Sequence, residues 1–314
     1  MPQDNIKILN EFQIENIPDL DIAVLGALEL LGQIALPKIK FDTYKRPLVV
    51  GSGNAEATGK IIFRDLDAIF ASENNYEEKL KNIRDIDGVI IISASGEKHA
   101  PIIARVSKQY NKKVTLITTA PNTSASRELD YKEGDKEYIF PKNREPYTYN
   151  TSTYLGMILA YTKESPKEIF GFIQKNIETL DFSRLSKYDK FFLIVPTKFY
   201  GITSMLEVKF IELFGREIAR DVKTLESVSH ATTVVPSGEL FISFGFDNQV
   251  WGNPNDRINI PLPDNANYGA MMTLGYYVIA QIQKRHPPYF KNNIVEYVKQ
   301  SSKVFGYEIK AIVD

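Results

Sequence analysis

A lysine and a glutamate three positions apart, Lys209 and Glu212, form a pair whose spacing could support proton transfer. Residues at i and i+3 share one face of a helix. Three apolar residues lie in neighbouring directions, namely Phe210, Ile211 and Phe214. Because apolar surroundings disfavour an ionised carboxylate, the pKa of Glu212 would rise towards the range of a general base. A surface ion pair has the same spacing, and spacing alone favours that interpretation.

Two turns rich in glycine and serine could hold an anion such as phosphate. Residues 51–54 are Gly-Ser-Gly-Asn and residues 93–97 are Ser-Ala-Ser-Gly-Glu, each directly after an apolar run. Strand-to-helix turns expose backbone N–H groups at a positive helix end, and serine hydroxyls add donors. Glu56 stands where the dinucleotide fingerprint requires its third glycine, which disfavours a nucleotide cofactor. The second turn alone fits a helix cap equally well, but the hydroxyls of Thr118 and Thr119 on the same predicted sheet edge favour an anionic ligand.

The amino-acid composition excludes several kinds of functional site. The chain has no cysteine, which excludes disulfides, thiol nucleophiles, iron–sulfur clusters and cysteine-ligated zinc. Its three histidines lack HxH or HxxxH spacing, so we expect no metal and no cofactor, although magnesium held by carboxylates stays open. The 38 lysines and arginines nearly balance 39 aspartates and glutamates, and this balance indicates no nucleic-acid partner.

Two features of the sequence predict a cytoplasmic protein with no membrane partner. The N-terminal residues are acidic where a signal peptide needs a basic start and an apolar run. No apolar stretch approaches the roughly 20 residues that span a bilayer.

Short β-branched runs that end in Gly, Ser or Thr turns and lead into helical segments predict an α/β fold. Strands are predicted at 47–50, 88–92, 114–117, 137–140, 191–195, 239–244 and 257–260. Helices are predicted at 149–161, 203–220 and 267–285, and after a Ser165 cap at Pro166. The pattern restarts near residue 164, which predicts two doubly wound parallel-sheet halves, each an αβα sandwich. The predicted domains are an N-terminal helical segment, 1–45, a first domain, 46–163, and a second domain with a C-terminal helix, 164–314.

The loops and strands of the first half resemble the sugar isomerase (SIS) domain. The residues that carry the resemblance are the two turns, 51–54 and 93–97, and the strand 114–118, which is followed by Ser124 and Asp130. The resemblance covers about residues 45–162 and extends more loosely to about residue 291. It implies two SIS-like halves and a phosphosugar-binding fold.

The resemblance also assigns ligand contacts to six residues of the two turns. They are Ser93, Ser95 and Gly96 for the phosphate, and Ser52, Gly53 and Asn54 for the sugar. The turns depart from the family pattern at Ala55, where serine is usual, at Ala94, where glutamine is common, and at Lys98, where a small hydroxyl residue is usual.

In the second half, Lys209 and Glu212 resemble the K-x-x-E helix of double-SIS isomerases, and a later E-x-x-x-H segment runs from Glu226 to His230. The resemblance implies that Glu212 moves a proton between C1 and C2 of a sugar, that Lys209 supports it, and that His230 assists ring opening. His230 lacks periodic apolar neighbours, which favours a loop position. Glu226 is the leading rival for the base, and Lys291 resembles a C-terminal lysine that some members use on the sugar.

These matches imply an enzyme, a phosphosugar isomerase that converts aldose and ketose through a general base and a cis-enediol. Two alternatives stay open, a fructosamine-6-phosphate deglycase and a non-catalytic sugar-phosphate-binding regulator. The expected ligand is a phosphorylated sugar or a glycated amine 6-phosphate. The resemblance further implies a homodimer, because members of this family often take the histidine from the neighbouring subunit.

Overall fold

The computed structural model describes residues 4–231, 237–287 and 289–314. Contacts divide the chain into two compact units. The first unit consists of Ile34–Lys142 and Thr153–Lys163. The second unit consists of Met1–Gln33, Asn143–Ser152 and Glu164–Asp314.

These units differ from the predicted domains in two segments. The N-terminal segment, predicted to extend over 1–45, groups with the second unit as far as Gln33. Asn143–Ser152, predicted in the first domain, also groups with the second unit. The division of the chain into domains at 1–45, 46–163 and 164–314 stays a prediction.

Helices and strands alternate along most of the chain. The helices of the described residues are α1 (Asn5–Glu11), α2 (Leu20–Leu31), α3 (Asn54–Ile62), α4 (Tyr76–Asn82), α5 (His99–Gln109), α6 (Thr151–Thr162), α7 (Pro166–Phe172), α8 (Thr203–Phe214), α9 (Leu225–Ala231), α10 (Tyr268–Gln283), α11 (Tyr289–Asn292) and α12 (Ile294–Phe305). The strands are β1 (Pro47–Val50), β2 (Ile69–Ala71), β3 (Gly88–Ile92), β4 (Lys113–Thr118), β5 (Lys136–Ile139), β6 (Glu145–Pro146), β7 (Lys190–Val195), β8 (Ala219–Thr224), β9 (Leu240–Phe244), β10 (Arg257–Ile260) and β11 (Ile312–Val313).

The first unit is built on a five-stranded parallel sheet with the order β2-β1-β3-β4-β5. Every residue of β1 and β3 is buried, as expected for strands that are covered by helices on both faces. In the register of these two strands, Leu48 pairs with Val89. The strand order reverses between β1 and β3, and α/β proteins bind ligands beyond the carboxyl ends of the strands at such a switch point.

The second unit contains a four-stranded parallel sheet with the order β10-β9-β7-β8. Counted from β7 as the first strand, this order is 2-1-3-4, which is also the order of the first four strands of the other sheet. The prediction of two doubly wound parallel-sheet halves is therefore confirmed.

Two further features of the second unit bear on the candidate site. The helix α2 packs against α7 and α10. The strand β11 pairs antiparallel with β6, with Ile312 opposite Pro146 and Val313 opposite Glu145. Among the helices that the structure describes, none combines the length and apolar character needed to cross a lipid bilayer.

The predicted helix at 203–220 is wrong after residue 214. The helix α8 ends at Phe214, and Gly215 follows with a φ of +59° and a ψ of −121°, a backbone conformation that glycine adopts with little strain. Residues Ala219–Thr224 instead form β8, an edge strand in which only Val222 and Thr224 are buried. The short strand β2 was also missing from the predicted set.

Candidate functional site

Lys209 lies in the interior of the second unit with none of its side chain exposed. Its ammonium group donates hydrogen bonds to the backbone oxygens of Thr148 and Tyr149 and to Oε2 of Glu212, the last two at 2.6 Å and 2.8 Å. The ring of Tyr276 lies 5.0 Å from Nζ and attracts the cation. An ammonium group has three donors, so all three are in use. Lys209 is therefore a fixed positive charge that holds Glu212.

The carboxyl group of Glu212 is largely buried but keeps partial access to solvent. Its side chain is 23% exposed. Burial raises the pKa of the Glu212 carboxyl above its ordinary value, although the charge and hydrogen bond of Lys209 oppose this effect. A reachable carboxylate whose pKa is raised can accept a proton from a bound molecule.

A second carboxylate, Glu145, organises the segment whose carbonyls hold Lys209. Its oxygens accept hydrogen bonds from the N–H of Thr151 at 2.6 Å, the N–H of Ser152 at 2.8 Å, and the Ser152 hydroxyl. Burial raises the pKa of Glu145, while these hydrogen bonds and the charge of Lys209 oppose the rise. A negative group suits the start of a helix. Glu145 thus caps α6 and fixes the turn before it.

Two tyrosines that the sequence did not single out belong to the surroundings of Glu212. Tyr147 and Tyr297 are both half-buried. Burial raises the pKa of both phenols, that of Tyr297 to about 12, and the negative charge of Glu212 adds to both shifts. No local sequence signal connects these residues, which come from the turn after β6, from α8 and from α12.

The prediction of a loop position for His230 is wrong. His230 lies near the end of α9, and its side chain is exposed. The helix forms because the Thr224 hydroxyl accepts the N–H of Ser227 at 3.2 Å, which caps its first turn. His230 makes no hydrogen bond or ion pair with a described residue. The residues that follow it, 232–236, lie outside the described part of the chain.

The structure also shows the contacts of two other residues that the sequence analysis proposed, Glu226 and Lys291. Glu226, the rival base, is exposed on α9, and its backbone N–H donates to the Thr197 hydroxyl at 3.3 Å. Lys291 forms an ion pair with Asp19, with 2.5 Å between Nζ and Oδ1. Glu226 is therefore more exposed than Glu212, and the ammonium group of Lys291 is paired with a carboxylate.

The residues predicted to bind phosphate form a tight turn at the carboxyl end of β3, in the first unit. The Ser93 hydroxyl oxygen accepts the N–H of Gly96 at 3.2 Å, and that of Ser95 accepts the N–H of Glu97 at 3.3 Å. Gly96 has a φ of +63°, and a Cβ at this position would lie 2.4 Å from Oγ1 of Thr123. The turn therefore requires glycine at position 96.

Strand β4 braces this turn. The hydroxyls of Thr118 and Thr119 donate to the backbone oxygen of Ala94 at 3.0 Å and 2.9 Å, and the Thr119 N–H donates to the same oxygen at 3.1 Å. Both threonine hydroxyls therefore support the loop. They do not add free donors at the sheet edge, which corrects the expectation from the sequence.

The residues predicted to contact the sugar form the corresponding turn after β1. Gly53 has a φ of +55°, and the Ser52 hydroxyl donates to Oε2 of Glu73 at 2.7 Å. Asn54 is only 7% exposed, and its side-chain oxygen has no hydrogen-bond partner within the described part of the protein. Because β1 and β3 are adjacent, the fold brings both predicted turns to the switch point of the first sheet.

Charges of both signs surround these turns. The ring nitrogen Nε2 of His99 lies 3.8 Å from Oε2 of Glu73. Burial lowers the pKa of Lys98, an effect that the charge of Glu73 opposes. Hydrogen bonds from Ser124 lower the pKa of Glu97. Lys98 is thus a cation directly after the Ser93 turn, at the position where the family has a hydroxyl residue.

The second unit holds a carboxylate suited to accept a proton, and the first unit holds a turn of hydroxyl and backbone donors. Over the described ranges, no three His, Asp or Glu side chains group in a way that could hold a metal ion.

Comparison with known proteins identifies the fold. No protein-family model matches the chain, and no curated protein shows significant similarity to its sequence. The C-terminal domain of glucosamine-fructose-6-phosphate aminotransferase from Francisella tularensis superposes with a TM-score of 0.59 at 13% identity, over 92% of this chain and 97% of that one. Glucosamine-6-phosphate deaminase from Thermotoga maritima gives 0.58 at 15% identity, over 90% and 95%. Tagatose-6-phosphate ketose/aldose isomerase from Escherichia coli gives 0.57 at 11% identity, over 90% and 92%.

These matches extend over nearly the whole chain, so they include both halves of the fold. The resemblance that the sequence motifs predict is confirmed at the level of the fold. The chain has the double-SIS fold of the phosphosugar isomerases.

Proposed function

We propose that the protein is an aldose–ketose isomerase that acts on a sugar 6-phosphate with Glu212 as its general base. The observation that carries the proposal is the pair of Lys209 and Glu212, in which a buried ammonium group holds a partly exposed carboxylate. The alternative, a surface ion pair, does not fit a lysine without exposed surface. Burial also raises the pKa of Glu212, which makes its carboxylate a stronger base.

In this mechanism one carboxyl group moves a proton between two carbon atoms. Glu212 takes the proton from C2 of the open-chain aldose. The electrons of that C–H bond form the C1–C2 double bond, and the π electrons of C1=O1 become a lone pair on O1, which takes a proton from solvent. The resulting cis-enediol receives the proton from Glu212 at C1 and returns the proton of its O2 hydroxyl to solvent as the C2=O2 bond forms. The product is the ketose, and Glu212 is a carboxylate again. No oxidant or reductant is consumed.

We assign Lys209 a positioning role in this reaction. Its three N–H donors are occupied by Thr148, Tyr149 and Glu212, so it has none left for a substrate. Its positive charge opposes the effect of burial on the pKa of Glu212 and so keeps the base from being protonated too readily.

We assign the phosphate to the turn of Ser93, Ser95 and Gly96. Each serine hydroxyl oxygen already accepts a backbone N–H, which fixes it and leaves its own hydrogen to donate to an anion. The eleven-residue helix α5 begins after this turn and adds a positive end. The sugar is assigned to the turn of Ser52, Gly53 and Asn54 at the same switch point.

Ring opening is assigned to His230, on the resemblance to the family. This step moves a proton from the O1 hydroxyl to the ring oxygen, and imidazole is the side chain that exchanges protons near neutral pH. The exposure of His230 supports the assignment, because a substrate can reach it. The homodimer that the resemblance implies belongs to the same proposal, and sedimentation of the purified protein tests it.

The names of solved proteins with this fold support a sugar phosphate as the ligand. One is named as a ketose/aldose isomerase of tagatose 6-phosphate, and another as a deaminase of glucosamine 6-phosphate.

A substrate panel tests the proposal. The purified protein is incubated with hexose 6-phosphates and with glycated amino-acid 6-phosphates, and ketose formation and amine release are measured. Ketose formation that the Glu212→Gln variant lacks is the expected result. Amine release without isomerisation would identify a deglycase, and binding without turnover would identify a regulator.

A further inference from the structure

The backbone of Tyr147 is fixed on both sides. Its N–H donates to the backbone oxygen of Ala311 at 2.9 Å, next to the pairing of β11 with β6, and its own backbone oxygen accepts the side-chain amide of Asn150 at 3.1 Å. The next residue, Thr148, presents its carbonyl to Lys209. Tyr147 is therefore attached to the segment that anchors the base, and its phenol is the part that remains free to act.

Tyr297 approaches the same pair through a chain of aromatic rings. Its ring lies edge-on to Phe290, with 6.1 Å between centroids, and Phe290 lies edge-on to Tyr149 at 5.7 Å. The backbone oxygen of Tyr149 accepts a hydrogen bond from Lys209 at 2.6 Å. Phe290 is 1% exposed, so this packing is part of the core. The helix α12 thus packs Tyr297 on the aromatic core that contains Tyr149, whose backbone oxygen Lys209 binds.

Neither phenol has a hydrogen-bond partner among the residues that the structure describes, although both side chains are half-buried. Burial raises the pKa of both phenols, so both stay protonated and keep a donor hydrogen at neutral pH. Two unused donors next to one partly exposed carboxylate are suited to an oxygen-rich ligand.

We propose that Tyr147 and Tyr297 are catalytic residues that donate hydrogen bonds to the O1 and O2 oxygens of the enediol intermediate formed at Glu212. The proposal rests on the isomerase function proposed above. When Glu212 removes the C2 proton, negative charge develops on O1, and donors already in place stabilise that charge most where water is excluded. Each phenol keeps its proton, so Glu212 remains the only group that carries the carbon-bound proton from C2 to C1.

The experiment compares Tyr147→Phe and Tyr297→Phe with a control variant, Tyr200→Phe, whose side chain is 71% exposed. Calorimetry measures the affinity for two probes. The first is 5-phospho-D-arabinonohydroxamate, a planar mimic of the enediolate, and the second is D-glucitol 6-phosphate, which has the phosphate and hydroxyls but no planar charged group. Circular dichroism confirms that each variant is folded.

We expect each of the two tested variants to bind the hydroxamate roughly tenfold more weakly or worse, because a hydrogen bond to a charged group is lost. Affinity for glucitol 6-phosphate should change less than twofold, and Tyr200→Phe should bind both probes as the wild type does. If the wild type binds the hydroxamate and both variants bind it equally well, the proposed role of the tyrosines is wrong, and the proposed isomerase function is unaffected. A wild type that binds neither probe overturns the proposed isomerase function together with it.

Discussion

Lys209 and Glu212 form an ion pair at 2.8 Å in which the lysine is completely buried and the glutamate is 23% exposed. The asymmetry distinguishes this pair from an ordinary surface ion pair, in which both side chains are solvated and little stability is gained. The buried partner fixes a position, and the exposed partner can meet a substrate.

Replacement of Lys209 by methionine should destabilise the protein. The change would leave two backbone oxygens and a desolvated carboxylate without their donor, and breaking a buried ion pair costs about 3–5 kcal/mol. Urea denaturation measures the free energy of unfolding. The control is Lys223→Met, which removes an exposed ion pair with Glu207 at 3.9 Å and should change stability by less than about 0.5 kcal/mol. Equal stability of both variants would refute the assigned role of Lys209.

The pH dependence of turnover should reflect the raised pKa of Glu212. The base is active when ionised, so kcat/KM should rise with pH. It should reach half of its plateau value at a pH above 4.5, the ordinary pKa of a glutamate side chain. In the folded protein this carboxyl binds its proton more tightly than in the unfolded chain. Its contribution to stability is therefore present at low pH and is lost as pH rises through the folded-state pKa. A kcat/KM profile that stays flat down to about pH 4.5 would exclude Glu212 as the base.

Replacement of Ser95 by alanine should weaken the binding of phosphorylated ligands. The lost donor to an anion is worth about 1.5–3 kcal/mol, or roughly a tenfold to hundredfold change in the dissociation constant. Calorimetry with a hexose 6-phosphate measures the dissociation constant. Ser186→Ala is the matched control, because Ser186 is also exposed and its hydroxyl bonds only to the nearby backbone oxygen of Ser183. If both variants bind equally well, the Ser93 turn does not hold the phosphate.

Replacement of Gly96 by alanine should distort the same turn. The residue has a φ of +63°, and the added methyl group would lie 2.4 Å from the hydroxyl oxygen of Thr123. Such a change at an incompatible backbone position destabilises by more than about 1 kcal/mol. Gly171→Ala is the control, because Gly171 lies on an exposed helix position with open space around it and should gain about 0.5–1 kcal/mol. Thermal unfolding that shifts in the same direction for both would contradict this interpretation of the turn.

The local pattern of the sequence predicts most of the fold. Buried runs such as 88–92 and 191–195 identify central strands, because a strand that is covered on both faces is apolar throughout. The edge strand β8 does not have this continuous apolar pattern. Its residues Arg220, Asp221 and Lys223 are not buried, so the segment resembles the polar face of a helix. Gly215 was the signal that could have separated α8 from it.

The candidate site is predictable only in part. The spacing of Lys209 and Glu212 indicates the pair, but two acceptors of the lysine, at Thr148 and Tyr149, lie about 60 residues away in the chain. Contacts over such distances depend on the packing of helices and turns, and no local motif encodes them. The position of Tyr297 on α12 depends on packing in the same way.

The most direct test of the central claim is the exchange of solvent deuterium into the sugar by two variants, Glu212→Gln and Glu226→Gln. Glutamine keeps the size of the side chain and an acceptor for Lys209, but it cannot take the C2 proton, so the Glu212 variant should lose turnover by roughly 10²–10⁴ while it still binds the sugar phosphate. Wild type and Glu226→Gln should both incorporate deuterium at C1 or C2. Exchange that persists in Glu212→Gln and disappears in Glu226→Gln would contradict the account and place the base on α9.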